Sequence, residues 1–200
     1  MNEELTWVLQ AQEGSDEAFA RIVEAYQTPV YNLCYRMLGE AEAAEDAAQE
    51  TFLRVFQHLH RYDRKRAFAT WLLSIAAHYC IDRLRRRKLS VFSIDQADES
   101  DAGFELPDPA SPDPEAESIR KEERERLHRL LRSLEPIDRA AIVMRYWHDF
   151  SEAEIAESLD LSVSAVKSRL HRARRQMAGL WQEHSPKPRA LRRPNESPAF

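Results

Sequence analysis

The stretch from Ser151 to Arg175 most constrains the fold, because it predicts two short helices joined by a tight turn. Apolar residues recur at helical spacing on both sides of the turn, at Ile155, Ala156, Leu159, Val166, Leu170 and Ala173. Ser151 and Ser162 are suited to cap the two helices. Asp160 is among the few residues other than glycine that tolerate a left-handed turn position. We therefore predict a helix-turn-helix here.

The second of these helices carries a basic outer face. Its outward positions are Lys167, Ser168, Arg169, His171, Arg172, Arg174 and Arg175, and no Asp or Glu occurs between positions 161 and 182. A helix with a cationic outer face fits the major groove of DNA. An ordinary helical hairpin with a solvated basic face would show the same apolar spacing, so it is the one-sided charge that favours DNA.

The composition predicts an all-α protein. Two hundred residues with only four glycines and no sustained alternating apolar runs allow one or two small helical domains. No apolar run approaches the ~20 residues that span a bilayer, and the acidic N-terminus does not resemble a signal peptide, so we expect a cytoplasmic protein without membrane insertion. Cys34 and Cys80 lack metal-ligand spacing, and buried thiols are favoured over a redox pair.

The net charge of −5 is unevenly distributed. Residues 61–90 hold 9 Lys/Arg against 2 Asp/Glu, and residues 161–184 hold 5 against 1. Residues 91–117 hold 9 acids and no Lys or Arg. Two basic blocks among acidic ones predict two separate contacts with nucleic acid and weak unaided affinity, because acidic segments repel the same phosphates.

Four helices are predicted before the acidic block, at about 4–13, 16–38, 42–59 and 68–88. Pro29 should kink or divide the second, and Gly39 should end it. The third should pack through a set of apolar residues, Ala44, Ala47, Ala48, Phe52, Val55, Phe56 and Leu59. Its opposite face shows Asp46, Gln49 and Glu50, which by themselves fit a solvated surface with acids favoured at a helix start.

A basic loop with aromatic residues precedes the fourth helix, and that helix ends in a run of arginines. The loop and helix contain Arg61, Tyr62, Arg64, Lys65, Phe68, Trp71 and Tyr79, and the helix end contains Asp82, Arg83, Arg85 and Arg86. Cations in a last helical turn are favoured by the helix dipole, but this run exceeds what capping requires. Cations interleaved with aromatic rings can hold a single strand by phosphate contact and stacking, although most of these rings are expected in the core.

These patterns predict two small helical domains, 1–89 and 113–183, joined by a flexible acidic linker over 90–112. Asp113 and Pro114 restart a helix, and Pro136 opens another, so the second domain has four helices and ends in the helix-turn-helix. Residues 184–200 hold four prolines and four cations and are expected to be a disordered tail.

Three blocks in this order resemble the extracytoplasmic-function (ECF) sigma factors, two-domain initiation factors of bacterial RNA polymerase. The blocks are AEDAAQETFLRVF (44–56), FATWLLSIAAHYCIDRLRRR (68–87) and LEPIDRAAIVMRYWHDFSEAEIAESLDLSVSAVKSRLHRAR (134–174). The resemblance implies a protein that binds core RNA polymerase and directs it to −35 and −10 promoter elements. It also implies contacts with the β′ clamp helices and β flap, a dedicated anti-sigma partner, and a monomer when free.

The resemblance also implies a role for each set of residues. Asp46, Gln49, Glu50 and Phe52 would dock on core polymerase. The −10 strand would be held by Arg61, Tyr62, Arg64, Lys65, Phe68, Trp71, His78, Asp82, Arg83, Arg85 and Arg86. The −35 element would be read by Ser164, Lys167, Ser168, Arg169, His171, Arg172 and Arg175. His78 replaces a frequent asparagine, Ala165 a frequent threonine and Asp160 a frequent turn glycine.

Two other classes of function were weighed. A helix-turn-helix regulator that binds duplex DNA as a dimer would leave the face of Asp46, Gln49 and Glu50 and residues 61–88 without a role. An enzyme is disfavoured because the seven histidines lack metal-ligand spacing and no glycine-rich phosphate loop exists. The acids at 45, 46 and 50 could in principle hold Mg²⁺, but a surface helix is the commoner explanation. We therefore expect no catalytic residue, no metal and no cofactor.

Overall fold

The chain is all-α and forms two domains in a computed structural model that describes residues 3–91 and 114–183. The first domain contains α1 (Glu3–Gln12), α2 (Asp16–Leu38), α3 (Ala41–His58), a 3-10 turn (Leu59–Arg61) and α4 (Phe68–Val91). The second contains α5 (Pro114–Arg132), α6 (Pro136–Trp147), α7 (Glu152–Ser158) and α8 (Val163–Glu183). The predicted fold class, including a four-helix second domain, is therefore confirmed.

Helix α2 is the centre of the first domain and packs against α1, α3 and α4. It begins at the Ser15 cap, whose hydroxyl accepts a hydrogen bond from the Ala18 amide, and ends at Gly39 in the left-handed conformation, with φ 81°. Pro29 does not divide the helix, because the packing of three neighbouring helices holds the chain on both sides of it. The sequence predicted a kink or a division at Pro29, and the continuous helix excludes the division.

The turn between α7 and α8 has the conformation that its sequence predicts. Ser151 and Glu154 form a reciprocal capping box at the start of α7. Asp160 takes the left-handed conformation, with φ 53°, and the hydroxyl of Ser162 accepts a hydrogen bond from the amide of Ala165 at 3.2 Å. The helix-turn-helix is thus held by caps at the start of each helix, as predicted.

The two domains pack against each other along α6, which contacts both α2 and α4. One apolar cluster runs through both domains. Arg139 is buried and donates hydrogen bonds to the carbonyl of Met37, in the last turn of α2, and to the carbonyl of Arg132 at 2.9 Å. Arg132 in turn donates to the carbonyl of Gly39 at 3.0 Å. Two arginines of the second domain therefore cap the C-terminal end of α2.

Parts of the sequence prediction lie outside the described residues. Helix α4 extends to Val91, so only the first two positions of the predicted linker (90–112) are described. The whole predicted tail (184–200) lies beyond the end of α8. In the two described segments, no helix combines the length and the apolar character that crossing a membrane requires.

Candidate polymerase and nucleic-acid surfaces

Helix α3 presents an acidic face beside a row of cations. Asp46 and Gln49 are exposed, and Glu50 is partly buried. The Glu50 carboxylate accepts a hydrogen bond from Arg54 Nε at 2.8 Å, and Asp46 Oδ2 lies 3.6 Å from Arg83 Nη2 on α4. Such half-exposed ion pairs contribute little to folding, so the two acids can exchange these partners for others at small cost.

Two apolar side chains next to this face were missed by the sequence analysis. Leu53 is 57% exposed, and Phe56, which was predicted to pack inward, is 56% exposed. Phe56 meets the ring of Phe19 in a T-shaped arrangement, with ring centroids 4.9 Å apart. Leu53 follows Gln49 by four residues and Glu50 by three, and this spacing could have placed it on the same face. The acidic face therefore carries an exposed apolar end, a composition typical of a protein-binding surface.

The aromatic residues of the loop and α4 form a cluster rather than a row of open rings. Tyr62, Phe68 and Trp71 meet pairwise with centroids 5.2–5.7 Å apart. Tyr62 and Phe68 are buried, and the Tyr62 hydroxyl donates to the carbonyl of Arg66. Burial raises the pKa of Tyr62. Trp71 is partly exposed and is the ring of this cluster best placed to meet a base.

Cations surround this cluster and continue along the end of α4. Arg61, Arg64 and Lys65 are exposed in the loop, and Arg85 and Arg86 are exposed on α4. A shallow cavity of about 190 Å³ lies between α3 and α4, lined by Arg54, Tyr79, Asp82, Arg83 and Arg86. The exposed cations of the first domain thus lie in two groups, one in the loop before α4 and one, the basic rim, in the last turns of α4.

His78 lies on the side of α4 that faces the second domain. Its Nδ1 is hydrogen-bonded to the carbonyl of Ser74 at 2.8 Å, and its Nε2 lies 3.8 Å from Asp160 Oδ2 in the turn of the helix-turn-helix. Of the residues predicted for the −10 strand, His78 is therefore the one whose side chain approaches an acid of the other domain in the described chain.

Helix α8 presents most of its predicted DNA-facing residues to solvent. The exposed members are Ser164, Lys167, Ser168, His171, Arg172 and Arg175. Arg169 differs, because its Nη1 lies 2.6 Å from Asp138 Oδ1 on α6 and its side chain is 28% exposed. Arg169 therefore ties α8 to α6. Lys167 Nζ lies 3.6 Å from Glu152 Oε2 at the start of α7.

The two cysteines are brought together in the core of the first domain. Cys34 on α2 and Cys80 on α4 are both fully buried. Interaction with the Cys34 thiol, followed by burial, raises the pKa of Cys80 strongly. A thiol held protonated and away from solvent is a poor nucleophile, so these residues act as small apolar side chains.

Comparison with known families agrees with this arrangement. The chain matches the family models "Sigma-70 region 2" over residues 22–89 and "Sigma-70, region 4" over residues 124–177. It is 35% identical over 170 residues to the ECF RNA polymerase sigma factor SigW of Bacillus subtilis (strain 168), an alignment that covers 84% of this chain and 90% of that protein. The chain belongs to the ECF sigma factors. As a member of that family it is a transcription initiation factor, whose partners are RNA polymerase and promoter DNA.

Other relatives of this sigma factor extend along most of its length. It is 32% identical over 181 residues to the ECF RNA polymerase sigma-E factor of Salmonella typhimurium (strain LT2), covering 87% of this chain and 93% of the relative. Among solved structures, it shares its fold with CnrH in complex with the cytosolic domain of CnrY, with a TM-score of 0.63 at 23% identity, covering 90% of this chain and 97% of that one. Its fold also resembles that of the sigma factor RpoE in complex with the anti-sigma factor NepR from Bartonella quintana. The TM-score is 0.65 at 18% identity, and the match covers 84% of this chain and 98% of that one.

Proposed function

We propose that this sigma factor divides promoter recognition among three surfaces. The α3 face of Asp46, Gln49, Glu50 and Phe52, extended by Leu53, docks on the clamp helices of the polymerase β′ subunit. The loop before α4 and the basic rim of α4 hold the −10 strand, and α8 reads the −35 element. The observation that carries the proposal is the separation of charge: the acids of α3 and the cations of α8 are exposed on different domains.

The −10 surface is suited to a strand that has left the duplex. Opening a promoter exposes unstacked bases, and a protein can replace lost stacking with aromatic and guanidinium contacts. Trp71 supplies a partly exposed ring, while Tyr62 and Phe68 support it from within the cluster. The cations around this cluster neutralise the strand's phosphates, so their contribution should fall as salt is raised.

The −35 surface is suited to an intact duplex. The exposed residues Lys167, His171 and Arg172 lie on one face of α8, where they can reach base edges in the major groove. Arg175 supports this face by contacting phosphate. Arg169 already bonds to Asp138, so its part in DNA binding includes fixing the orientation of α8 on α6.

The remaining partners follow from the same family. The second domain would contact the β flap, and an anti-sigma factor would bind the protein and hold it inactive. A complex of this kind is known for the sigma factor RpoE, which was solved with the anti-sigma factor NepR from Bartonella quintana. We expect a cytoplasmic protein that is monomeric when free, uses no cofactor and has no catalytic centre.

Reversal of charge on α3 tests the docking surface. Asp46→Lys with Glu50→Lys should abolish capture of core polymerase and run-off transcription, because the two carboxylates proposed to meet the polymerase become cations. The control is Glu13→Lys with Glu24→Lys, two exposed acids elsewhere in the first domain. Retained polymerase capture by the α3 variant, with an unchanged circular dichroism spectrum, would contradict the docking assignment. Tight binding of the free protein to duplex DNA without polymerase would instead favour a repressor.

A further inference from the structure

Helix α7 rests on α4 beside the surface proposed to hold the −10 strand. Three positions of the first domain contact α7 or the turn after it: Arg66, Thr70 and His78. They are spaced by four and eight residues, so they line one side of α4 and of the turn before it. Thr70, whose hydroxyl bonds to Glu154 on α7, is only 2% exposed, whereas His78 is exposed. Hydroxyl side chains on a helix surface are usually solvated, so the second domain covers this line at Thr70.

At one end of this line, Arg66 is bound by α7 through two contacts. Its Nε lies 3.3 Å from Glu157 Oε1, and its Nη2 donates a hydrogen bond to the hydroxyl of Ser158 at 3.1 Å. Ser158 is 1% exposed. A guanidinium that meets a carboxylate and a hydroxyl in this way could meet a phosphate with the same donors.

Further along the line, two more acids of the helix-turn-helix face α4. Thr70 Oγ1 donates to Glu154 Oε1 at 3.5 Å, and His78 Nε2 lies 3.8 Å from Asp160 Oδ2. Hydrogen bonds from Ser151 lower the pKa of Glu154, so this carboxylate is ionised. Residues 151–160 contain four acids and no Lys or Arg. The edge of the second domain that touches α4 is therefore anionic.

A third contact places an acid of the second domain at the far, basic end of α4. Lys88 Nζ lies 3.0 Å from Glu135 Oε1, immediately before α6. Acids of the second domain thus meet the first domain from the loop before α4 to the last turns of that helix. A nucleic-acid strand would likewise bring negative groups to a basic, partly aromatic surface.

We propose that the acidic edge of α7, formed by Glu154, Glu157 and Asp160, is an intramolecular substitute for the promoter strand. The closed protein therefore covers part of its own −10 surface until the domains separate. This inference rests on the function proposed above for that surface. The exposed residues of α8 and the acids of α3 stay accessible in the same arrangement, so closure occupies only the side of the strand surface at Arg66, Thr70 and His78 and leaves polymerase docking and −35 reading open.

The test removes the charges of α7 and measures the distance between the domains. The test variant is Glu157→Gln with Asp160→Asn, since asparagine keeps the left-handed conformation of the turn. The control is Glu122→Gln with Glu123→Gln, which removes two exposed acids of α5. Spin labels are attached at Glu24→Cys on α2 and Ala178→Cys on α8, both exposed positions, while the native thiols are buried.

We expect a short, narrow distance distribution for the wild-type labels and the control. In the test variant the population at long distance should rise about fivefold, as expected when the Arg66–Glu157 ion pair and the contact of Asp160 with His78 are both lost. Saturation of the wild-type protein with a short single-stranded DNA of mixed sequence should produce the same shift, because the strand and α7 compete. A distribution that neither the variant nor the strand changes would overturn the proposal.

A second measurement separates this inference from the proposed function. Run-off transcription with purified core polymerase reports whether the chain acts as a sigma factor, and the distance measurement needs no polymerase. Absence of transcription from every variant would contradict the function while the distances still report whether α7 holds the domains together. Transcription by the wild-type protein with unaltered distances in the variant would contradict only the inference.

Discussion

Two neighbouring arginines of α8 have different surroundings although their sequence context is alike. Arg169 lies against α6 and bonds to Asp138, whereas Arg172 is exposed on the outer face. Both belong to a run of cations that predicts DNA binding as a whole. The sequence could not show which of the two arginines forms an ion pair inside the protein, because its partner Asp138 lies on another helix, thirty-one residues away.

Removal of the Arg172 guanidinium should weaken use of the −35 element. Arg172→Ala should cost about 1–3 kcal/mol of promoter binding if the side chain reads a base edge. Arg174→Ala is the control on the same helix, because the Arg174 guanidinium is hydrogen-bonded to the carbonyl of Leu170. Run-off transcription on promoters with altered −35 sequences measures the effect. Unchanged promoter selection by the Arg172 variant would rule out base reading by this residue.

Gly39 offers a test of the contact between the end of α2 and Arg132. A Cβ at Gly39 would lie 2.7 Å from Arg132 Nε, whereas a Cβ at Gly14 would meet no atom within 4 Å. Both glycines have positive φ, 81° and 97°, so alanine pays a backbone cost at either position. Gly39→Ala should therefore lower the free energy of unfolding by about 1 kcal/mol more than Gly14→Ala. Equal losses in denaturant titrations would show that Arg132 adjusts without cost.

Helix α3 shows how far periodicity can specify an element. Its length, its buried alanines and the outward position of Asp46 and Gln49 follow from the 3.6-residue repeat. Phe56 was assigned to the core with the other apolar residues of the helix, yet it is 56% exposed. Size and apolar character indicate burial only on average, and a residue kept on a surface for a partner breaks that rule.

Leu53 should contribute to polymerase binding without supporting the fold. Leu53→Ala removes an apolar side chain that is already 57% exposed, so the free energy of unfolding should change by less than about 0.5 kcal/mol. Loss of a contact at a docking surface should weaken core polymerase binding by about 1 kcal/mol or more. Leu5→Ala, at a half-exposed position on α1, is the control. Equal affinities of both variants in polymerase titrations would exclude Leu53 from the interface.

The relation between the domains is the part of the fold that the sequence analysis did not foresee. The charge and proline content predicted two domains joined by a flexible linker. The apolar periodicity of the helices does not indicate which surfaces of the two domains contact each other. Arg139 illustrates the difficulty, since a charged residue in a helix ordinarily indicates solvent. Here it is buried, and burial together with nearby Arg132 lowers its pKa to about 10. Only the assembled molecule brings the carbonyls of α2 within its reach.

The contact between the domains should make stability depend on pH. His128 on α5 packs against the Tyr35 ring on α2 in a T-shaped arrangement, with centroids 4.7 Å apart. Burial lowers the pKa of both His128 and His148 to about 4. The charge of Arg36 lowers both pKa values further, and Arg132 and Arg139 also lower that of His128. Asp149 opposes this shift at His148. The unfolded chain binds protons below about pH 6.5. The contribution of the two neutral histidines to the stability of the folded protein is therefore complete above about pH 6.5, and it is lost as the pH falls towards 4.

Denaturant unfolding at pH 7 and pH 5 measures this dependence. His128→Gln should reduce the loss of stability between the two pH values, because glutamine does not titrate. His171→Gln, at an exposed position on α8, should leave the loss unchanged. An identical pH dependence in the wild-type protein and both variants would show that the interdomain histidine does not control it.

The apolar cluster that joins the domains also bears on how the protein behaves in concentrated solution. If α6 left α2 and α4, hydrophobic side chains now enclosed by both halves would meet water, at a cost proportional to the area uncovered. Molecules in that state would tend to stick to one another. The closed arrangement should therefore keep the free protein from aggregating. Separation of the domains should cost the least free energy when another macromolecule covers the apolar surface that becomes exposed.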